Sequence, residues 1–241
     1  GLAGSLRVPD DSVLYPPTMT KWLLHRAARH GARVLTNVHV QEIVPRGVIV
    51  DGRRIDAALV VNASGAAAAQ LTPGLDIVPR KGHLVITDRY PGFCRHQLVE
   101  LGYLKSAHTL DAASVAFNLQ PRRTGQLLIG SSRELVGWDA SMNREVLARM
   151  LKRAIEFTPR LPELRAVRTW TAFRPATPDK LPYVGPWQPQ EGVWVAAGHE
   201  GLGITTALGS AAVLSDLVAG RTPAIDPTPY SPARALAGSA S

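Results

Sequence analysis

Residues 57–65 read Ala57-Ala58-Leu59-Val60-Val61-Asn62-Ala63-Ser64-Gly65. The continuous apolar run 57–61 suits a strand buried on both faces, the pattern of a parallel sheet. It stops abruptly at Asn62 and passes through small residues into an alanine-rich helical turn. Small residues let a backbone approach a ligand closely, and unused N–H groups at a helix start favour anions. A buried strand entering a helix this way is a usual phosphate-site setting. Tight packing alone explains such a junction equally well.

Upstream, Pro16-Pro17-Thr18 opens a helix, since two prolines can begin one but not sit inside it. Trp22, Leu23, Arg26, Ala27 and His30 recur at helical spacing, and Gly31 supplies the stop. Val34-Leu35 and 38–44 read as short strands. The run 48–55 carries Asp51-Gly52 between apolar segments, a strong hairpin signal. The first stretch, 1–13, is an extended lead-in with a turn at Pro9-Asp10-Asp11.

Downstream, 81–87, 114–119 and 126–130 look like strands separated by polar turns, hence a largely antiparallel sheet. Residues 143–157 form an amphipathic helix whose stripe is Val146, Leu147, Met150, Leu151, Ala154 and Ile155. Residues 164–173 are extended, and Asp179 serves a turn. The short apolar strand 193–197 leads into Gly198-His199-Glu200-Gly201-Leu202-Gly203 and a helix to about 219 that reads as buried. The Pro-, Ala- and Ser-rich tail after Arg221 reads as a surface wrap ending in disorder.

Two further places can carry chemistry. The three glycines of 198–203 cost backbone entropy, so something requires them. The helix behind aims its positive end at whatever lies before it, which would stabilise an electron-rich ring or a developing anion. A glycine-rich turn capped by His199 is the plainer alternative. In Trp170-Thr171-Ala172-Phe173-Arg174-Pro175, an arginine among apolar residues is held extended by the following proline. Its planar fork suits bidentate capture of a carboxylate. A structural ion pair would use the same residue.

Composition removes other classes. The chain has 241 residues, 45% apolar and 19% charged, enough for a real core. A single cysteine, Cys94, excludes an intrachain disulfide framework and a Cys-rich metal site. The histidines show no paired metal-ligand spacing, and no Gly-x-Ser-x-Gly elbow is present. The net charge of +8 is spread singly or in pairs such as Arg53-Arg54 and Arg122-Arg123, without the stripe of a nucleic-acid binder. No apolar run reaches the ~20 residues of a membrane span, so no integral membrane segment is expected.

Taken in order, these segments resemble the C-terminal two-thirds of the D-amino-acid oxidase superfamily of flavoproteins, nearest its glycine oxidase and D-amino-acid dehydrogenase branch. The matching text is Val60 to Gly65, Arg80-Lys81-Gly82-His83, 126–130, 174–179 with Pro182-Tyr183-Val184-Gly185, and 197–205. The resemblance implies FAD and oxidation of an amino or imino acid to its imine by hydride transfer. It implies that Arg174 holds the substrate α-carboxylate, with Asn118, His83 and Gly201 also at the substrate. Cofactor contacts would come from Val40, Asn62, Ala63, Ser64, Gly65, Gly198, His199, Glu200, Gly201, Leu202, Gly203, Ile204 and Thr205. No general base is needed if the amine enters neutral, and no metal is implied.

Asn118 stands where glycine-oxidase-like proteins commonly place a tyrosine. The run 117–126 looks more like dehydrogenases of D-amino or cyclic imino acids, hydroxyproline-type enzymes included. The expected fold is α/β and α+β: an incomplete Rossmann-like FAD-binding domain and a mainly antiparallel substrate sheet with flanking helices. Its parts would be lead-in 1–13, FAD domain 14–78 and 171–241, and substrate domain 79–170. The family's opening Gly-x-Gly-x-x-Gly unit is not in this sequence, so these residues alone are expected to hold FAD weakly. A non-catalytic partner subunit of a heteromeric flavoprotein dehydrogenase is the other reading. A cytoplasmic location is expected, at the inner membrane surface if a quinone takes the electrons.

Overall fold

The computed structural model describes residues 4–102 and 113–237. Residues 1–3 of the lead-in and the last residues of the tail lie outside that range. In chain order the described elements are α1 (Pro16–Arg29), β1 (Val40–Val44), β2 (Gly47–Val50), β3 (Arg53–Asp56), β4 (Val60–Asn62) and α2 (Ala68–Leu71). Then come β5 (Val78–Thr87), β6 (Leu98–Val99), β7 (Ala113–Pro121), β8 (Leu127–Glu134) and α3 (Arg144–Phe157). The last are β9 (Ala166–Ala176), β10 (Tyr183–Pro186), β11 (Val193–Ala197), α4 (Gly203–Val218) and α5 (Ala233–Ala237). Two compact units result: Gly1–Ala32 with Lys81–Ala172, and Arg33–Arg80 with Phe173–Ser241.

The first unit is built on a five-stranded sheet in the order β6-β7-β8-β5-β9. One face is covered by α3, whose Val146, Met150 and Ala154 are buried. They meet Val85, Phe117, Leu119, Leu127 and Ile129, and Phe117 stacks on Phe157 with ring centroids 4.8 Å apart. The helix starts at Asn143, whose side-chain oxygen accepts from the N–H groups of Glu145 and Val146. Proline at its start places α1 as the spacing predicts, yet none of its residues is buried.

The second unit holds two three-stranded sheets. In the β1-β2-β3 meander the turn residues Asp51 and Gly52 have φ of 50° and 71°, as a type I′ hairpin demands. In the other sheet β11 pairs antiparallel with β10 and parallel with β4. Its core gathers Tyr183, Trp187, Val193, Val195 and Ala197 with Ala68 and Ile77. The tail folds back on it: Arg234 bonds Asp179 at 2.6 Å and lies 4.0 Å over the Tyr183 ring.

Four expectations are corrected here. β4 is an edge strand among the described residues, and Val61 is 38% exposed, so it is not covered on both faces. Val34 and Leu35 form no ladder and are exposed, because no neighbouring strand among the described residues accepts their backbone. Helix α4 keeps only Val213 buried instead of lying in a core. Residues Glu200–Val218, with mean hydropathy 1.4, are long and apolar enough to cross a membrane by length and composition. The absence of any such run is corrected with it.

Candidate functional site

Parallel pairing decides where the site forms. Val60, Val61 and Asn62 of β4 lie beside Val193, Trp194 and Val195 of β11, running the same way. Both strands therefore deliver their following loops, 63–65 and 198–203, to one edge of the sheet. That is the carboxyl edge, where open α/β sheets bind ligands.

The first loop is organised by Asn62, which is buried. Its amide donates to Ala68 O (2.9 Å) and Thr72 Oγ1 (2.7 Å), and its carbonyl accepts from Ser64 N (3.2 Å) and Ser64 Oγ (2.6 Å). The Asn62 side chain thus holds the loop from beneath. Ala63 and Ser64 are the exposed groups, and Gly65 (φ +64°) has open space where a Cβ would stand.

The second loop is tighter. Gly198 has φ +90°, and a Cβ there would sit 2.7 Å from Thr177 Cγ2. Thr177 is held by its hydroxyl bond to Leu181 O at 3.0 Å. The same contact brings the end of the arginine strand to the glycine bend, because Thr177 lies one residue past β9. Arg174 is half-buried on that strand.

Beyond Gly198, His199 Nε2 is 2.8 Å from Ser210 Oγ, and burial lowers its pKa below the ordinary 6.5. A neutral ring suits a helix start, where a cation would oppose the dipole. Glu200 takes φ +45° and lies 3.9 Å from the Arg80 guanidinium, both groups being largely buried. Gly201, Leu202, Ile204 and Thr205 are exposed, Leu202 by 63% and Ile204 by 55%.

Exposed small residues on both loops, open space at Gly65 and exposed apolar side chains at the start of α4 fit a large, flat, phosphate-bearing cofactor. Val40 opens β1 in the other sheet and is joined to this edge by no strand pairing. Among the described residues no group of His, Cys, Asp and Glu could hold a metal ion.

The substrate expectations in the first unit divide. Phe117 and Leu119 face α3, so Asn118 between them projects from the opposite face, where Gln97 donates to its Oδ1 at 3.4 Å. It stands across from Gly130. His83 is fully buried at the start of α3. Asn143 N–H donates to its Nε2 at 3.1 Å, and its Nδ1 lies 2.8 Å from Ser132 Oγ. Both ring nitrogens are therefore taken by the chain itself.

Beside His83 lies buried Lys81, 3.4 Å from Glu134 and 3.2 Å from Asp139. These groups hold the start of α3 on the sheet. Sequence reasoning had singled out neither the clasp on Gly198 by Thr177 nor the Arg80–Glu200 pair. Only the prolines around Thr177 hinted at a fixed turn.

A mixed sheet with two small-residue loops at its carboxyl edge belongs to the α/β class that binds nucleotide cofactors there. The family model described as FAD dependent oxidoreductase matches residues 1–217, and this chain belongs to that family, whose cofactor is FAD.

A glycine oxidase of Pseudomonas aeruginosa is 31% identical over 228 residues, covering 88% of this chain and 59% of the relative. Hydrogen cyanide synthase subunit HcnC of the same organism is 30% identical, over 96% of this chain and 55% of the relative. The crystal structure of glycine oxidase from Geobacillus kaustophilus superposes with a TM-score of 0.76 at 26% identity, covering 89% of this chain and 57% of that one. The chain thus spans less than two thirds of the length of these relatives.

Proposed function

We propose that this chain supplies the substrate sheet and the later half of the flavin domain of an FAD-dependent oxidoreductase that converts an amino or imino acid to its imine. The observation that carries this reading is the gathering of loops 63–65 and 198–203 at one sheet edge, with the Arg174 strand ending against Gly198. FAD, when bound, would accept the hydride. Arg174 would clamp the α-carboxylate through its two-pronged guanidinium and so fix which C–H is presented. The start of α4, at Gly201 to Thr205, would place positive helix-end charge where reduction builds negative charge. Loop 63–65 would offer backbone N–H groups to the diphosphate. Asn118, in place of a larger phenol, would leave a roomier pocket suited to a side-chain-bearing or cyclic substrate.

A nucleotide-binding strand-turn-helix absent from these residues would complete the site. It would cover α4, the open edge of β4 and the unladdered segment 33–38. A further stretch of the same polypeptide or a second chain could supply that unit. A cytoplasmic or membrane-peripheral location follows as part of the same proposal.

The test is complementation. The chain purified alone should lack stoichiometric flavin absorbance. Joined to, or co-expressed with, a Gly-x-Gly-x-x-Gly unit it should become yellow and turn over amino acids. In that complex Arg174→Ala should raise KM roughly 10–150-fold, the loss of a charge-assisted pair worth about 1.5–3 kcal/mol. Unchanged turnover would remove Arg174 from the site. Tight stoichiometric FAD in the chain alone would remove the need for the missing unit.

A further inference from the structure

The first unit contains a cavity of about 150 Å³ lined by Tyr90, Pro91, Cys94, Arg122, Arg123 and Gly125, among others. Its walls are fixed. Tyr90 N–H donates to Gly125 O at 2.8 Å, and the β7–β8 turn is closed by Arg122 N–H to Gln126 O at 2.8 Å and Gly125 N–H to Arg122 O at 2.9 Å. A Cβ on Gly125 (φ +86°) would stand 3.0 Å from Pro91 Cγ, so the turn lies directly on the 90–92 segment.

The charges in this wall are unbalanced. Arg122 is half-buried, and its Nε is buried with no hydrogen-bond partner among the described residues. Its Nη1 reaches Leu14 O only at 3.4 Å, and its guanidinium lies 5.2 Å over the Tyr15 ring. None of these neighbours is an acceptor of full negative charge. Among the described residues, no acidic side chain forms an ion pair with Arg122 or with exposed Arg123. Burial lowers the Arg122 pKa from its ordinary value, as expected for a cation that loses water on folding.

At ~10–15 Å³ of such space per water, the cavity has room for a compact oxyanion such as phosphate or a carboxylate group. Guanidinium groups present paired donors to either. We propose that the cavity between the 90–94 segment and the β7–β8 turn is an anion site for a compact oxyanion, phosphate or carboxylate, held by Arg122 and Arg123. The assignment is independent of the flavin reading.

Cys94, the single cysteine of the chain, lies in the cavity wall and serves as a built-in reporter. Its alkylation by uncharged iodoacetamide is followed in the intact chain with sodium phosphate, sodium acetate or sodium chloride at matched ionic strength. Phosphate, acetate or both should slow the reaction saturably at millimolar concentration, at least threefold beyond chloride, and the effective salt identifies the oxyanion. Arg122→Gln should move the half-point at least tenfold. Arg123→Gln, at an exposed position that leaves the fold intact, should move it at least threefold and serves if the first variant does not fold. Slowing no greater than chloride gives, or half-points unchanged in the folded variants, would overturn the proposal.

Discussion

Helices α3 and α4 are of similar length, 14 and 16 residues, and have opposite fates. In α3 the apolar residues form one stripe, and that stripe meets the sheet that the same stretch of chain builds. Asn143 caps its start and also donates to Glu134 at 2.9 Å, tying the cap to β8. In α4 the apolar residues run around the helix, as in a helix covered on every side. Yet Leu202, Ile204 and Leu208 are 63%, 55% and 57% exposed. Helix α3 has its cover within the described residues, whereas α4 leaves large apolar side chains open to solvent. A helix apolar all round, together with an open strand edge, is the surface on which the proposed nucleotide-binding unit would pack.

The sharpest way to break this contrast is a matched pair of truncations. Met150, fully buried on α3, should lose about 2–5 kcal/mol as Met150→Ala, the transfer and cavity cost of a core side chain. Leu208→Ala on α4 should change the stability of this chain by less than about 0.5 kcal/mol. Denaturant unfolding of both variants measures the difference. Equal losses would mean that α4 is already covered in solution. In the complemented complex the Leu208 cost should rise towards that of Met150.

Legibility in the sequence followed the same division. The Asp51-Gly52 hairpin and the small-residue loops after β4 and β11 are local patterns that the structure places where they lie, and the α3 stripe holds for Val146, Met150 and Ala154 while Ile155 is 39% exposed. Val34-Leu35 has the composition of a strand but no ladder, because a strand is defined by a neighbour and composition cannot supply one. The cover of α4 was misread for the same reason: an apolar helix states what it needs, not whether it is present. The motif around His83 does not say which face of β5 it occupies. One residue's shift along β5 separates a side chain under α3 from one on the opposite face. Thr177 and Gly198 are far apart in sequence, and no local signal joins them.

A smaller effect tests the contact that ties the arginine strand to the bend. Gly198→Ala forces a Cβ to 2.7 Å from Thr177 Cγ2 at φ +90°, and should destabilise the second unit by about 1–3 kcal/mol. Thr177→Ala removes the methyl and leaves the backbone strain. If the clasp is real, the double variant loses less than the sum of the single losses, a coupling of at least about 0.5 kcal/mol in a double-mutant cycle. Strict additivity would show that Gly198 answers only to its dihedral angle, and the strand and the bend would no longer be linked by that contact.

The smallest effect is electrostatic and confined to the second unit. Burial lowers the pKa of His199 in the folded state below its ordinary 6.5, so the unfolded chain takes up this proton more readily than the native one. Stability from the neutral ring is therefore complete above pH 6.5 and is lost as the pH falls from there through the lower folded value. His199→Gln keeps a polar group facing Ser210 and cannot titrate. Urea unfolding between pH 7.5 and 5 should show a shallower decline in the variant than in the parent chain, while the Met150 core responds identically in both. If the two slopes coincide, the ring is as well solvated as in the unfolded chain. The start of α4 would then be more open to water than the Ser210 contact describes, and the contrast between the two helices would extend to their first turns.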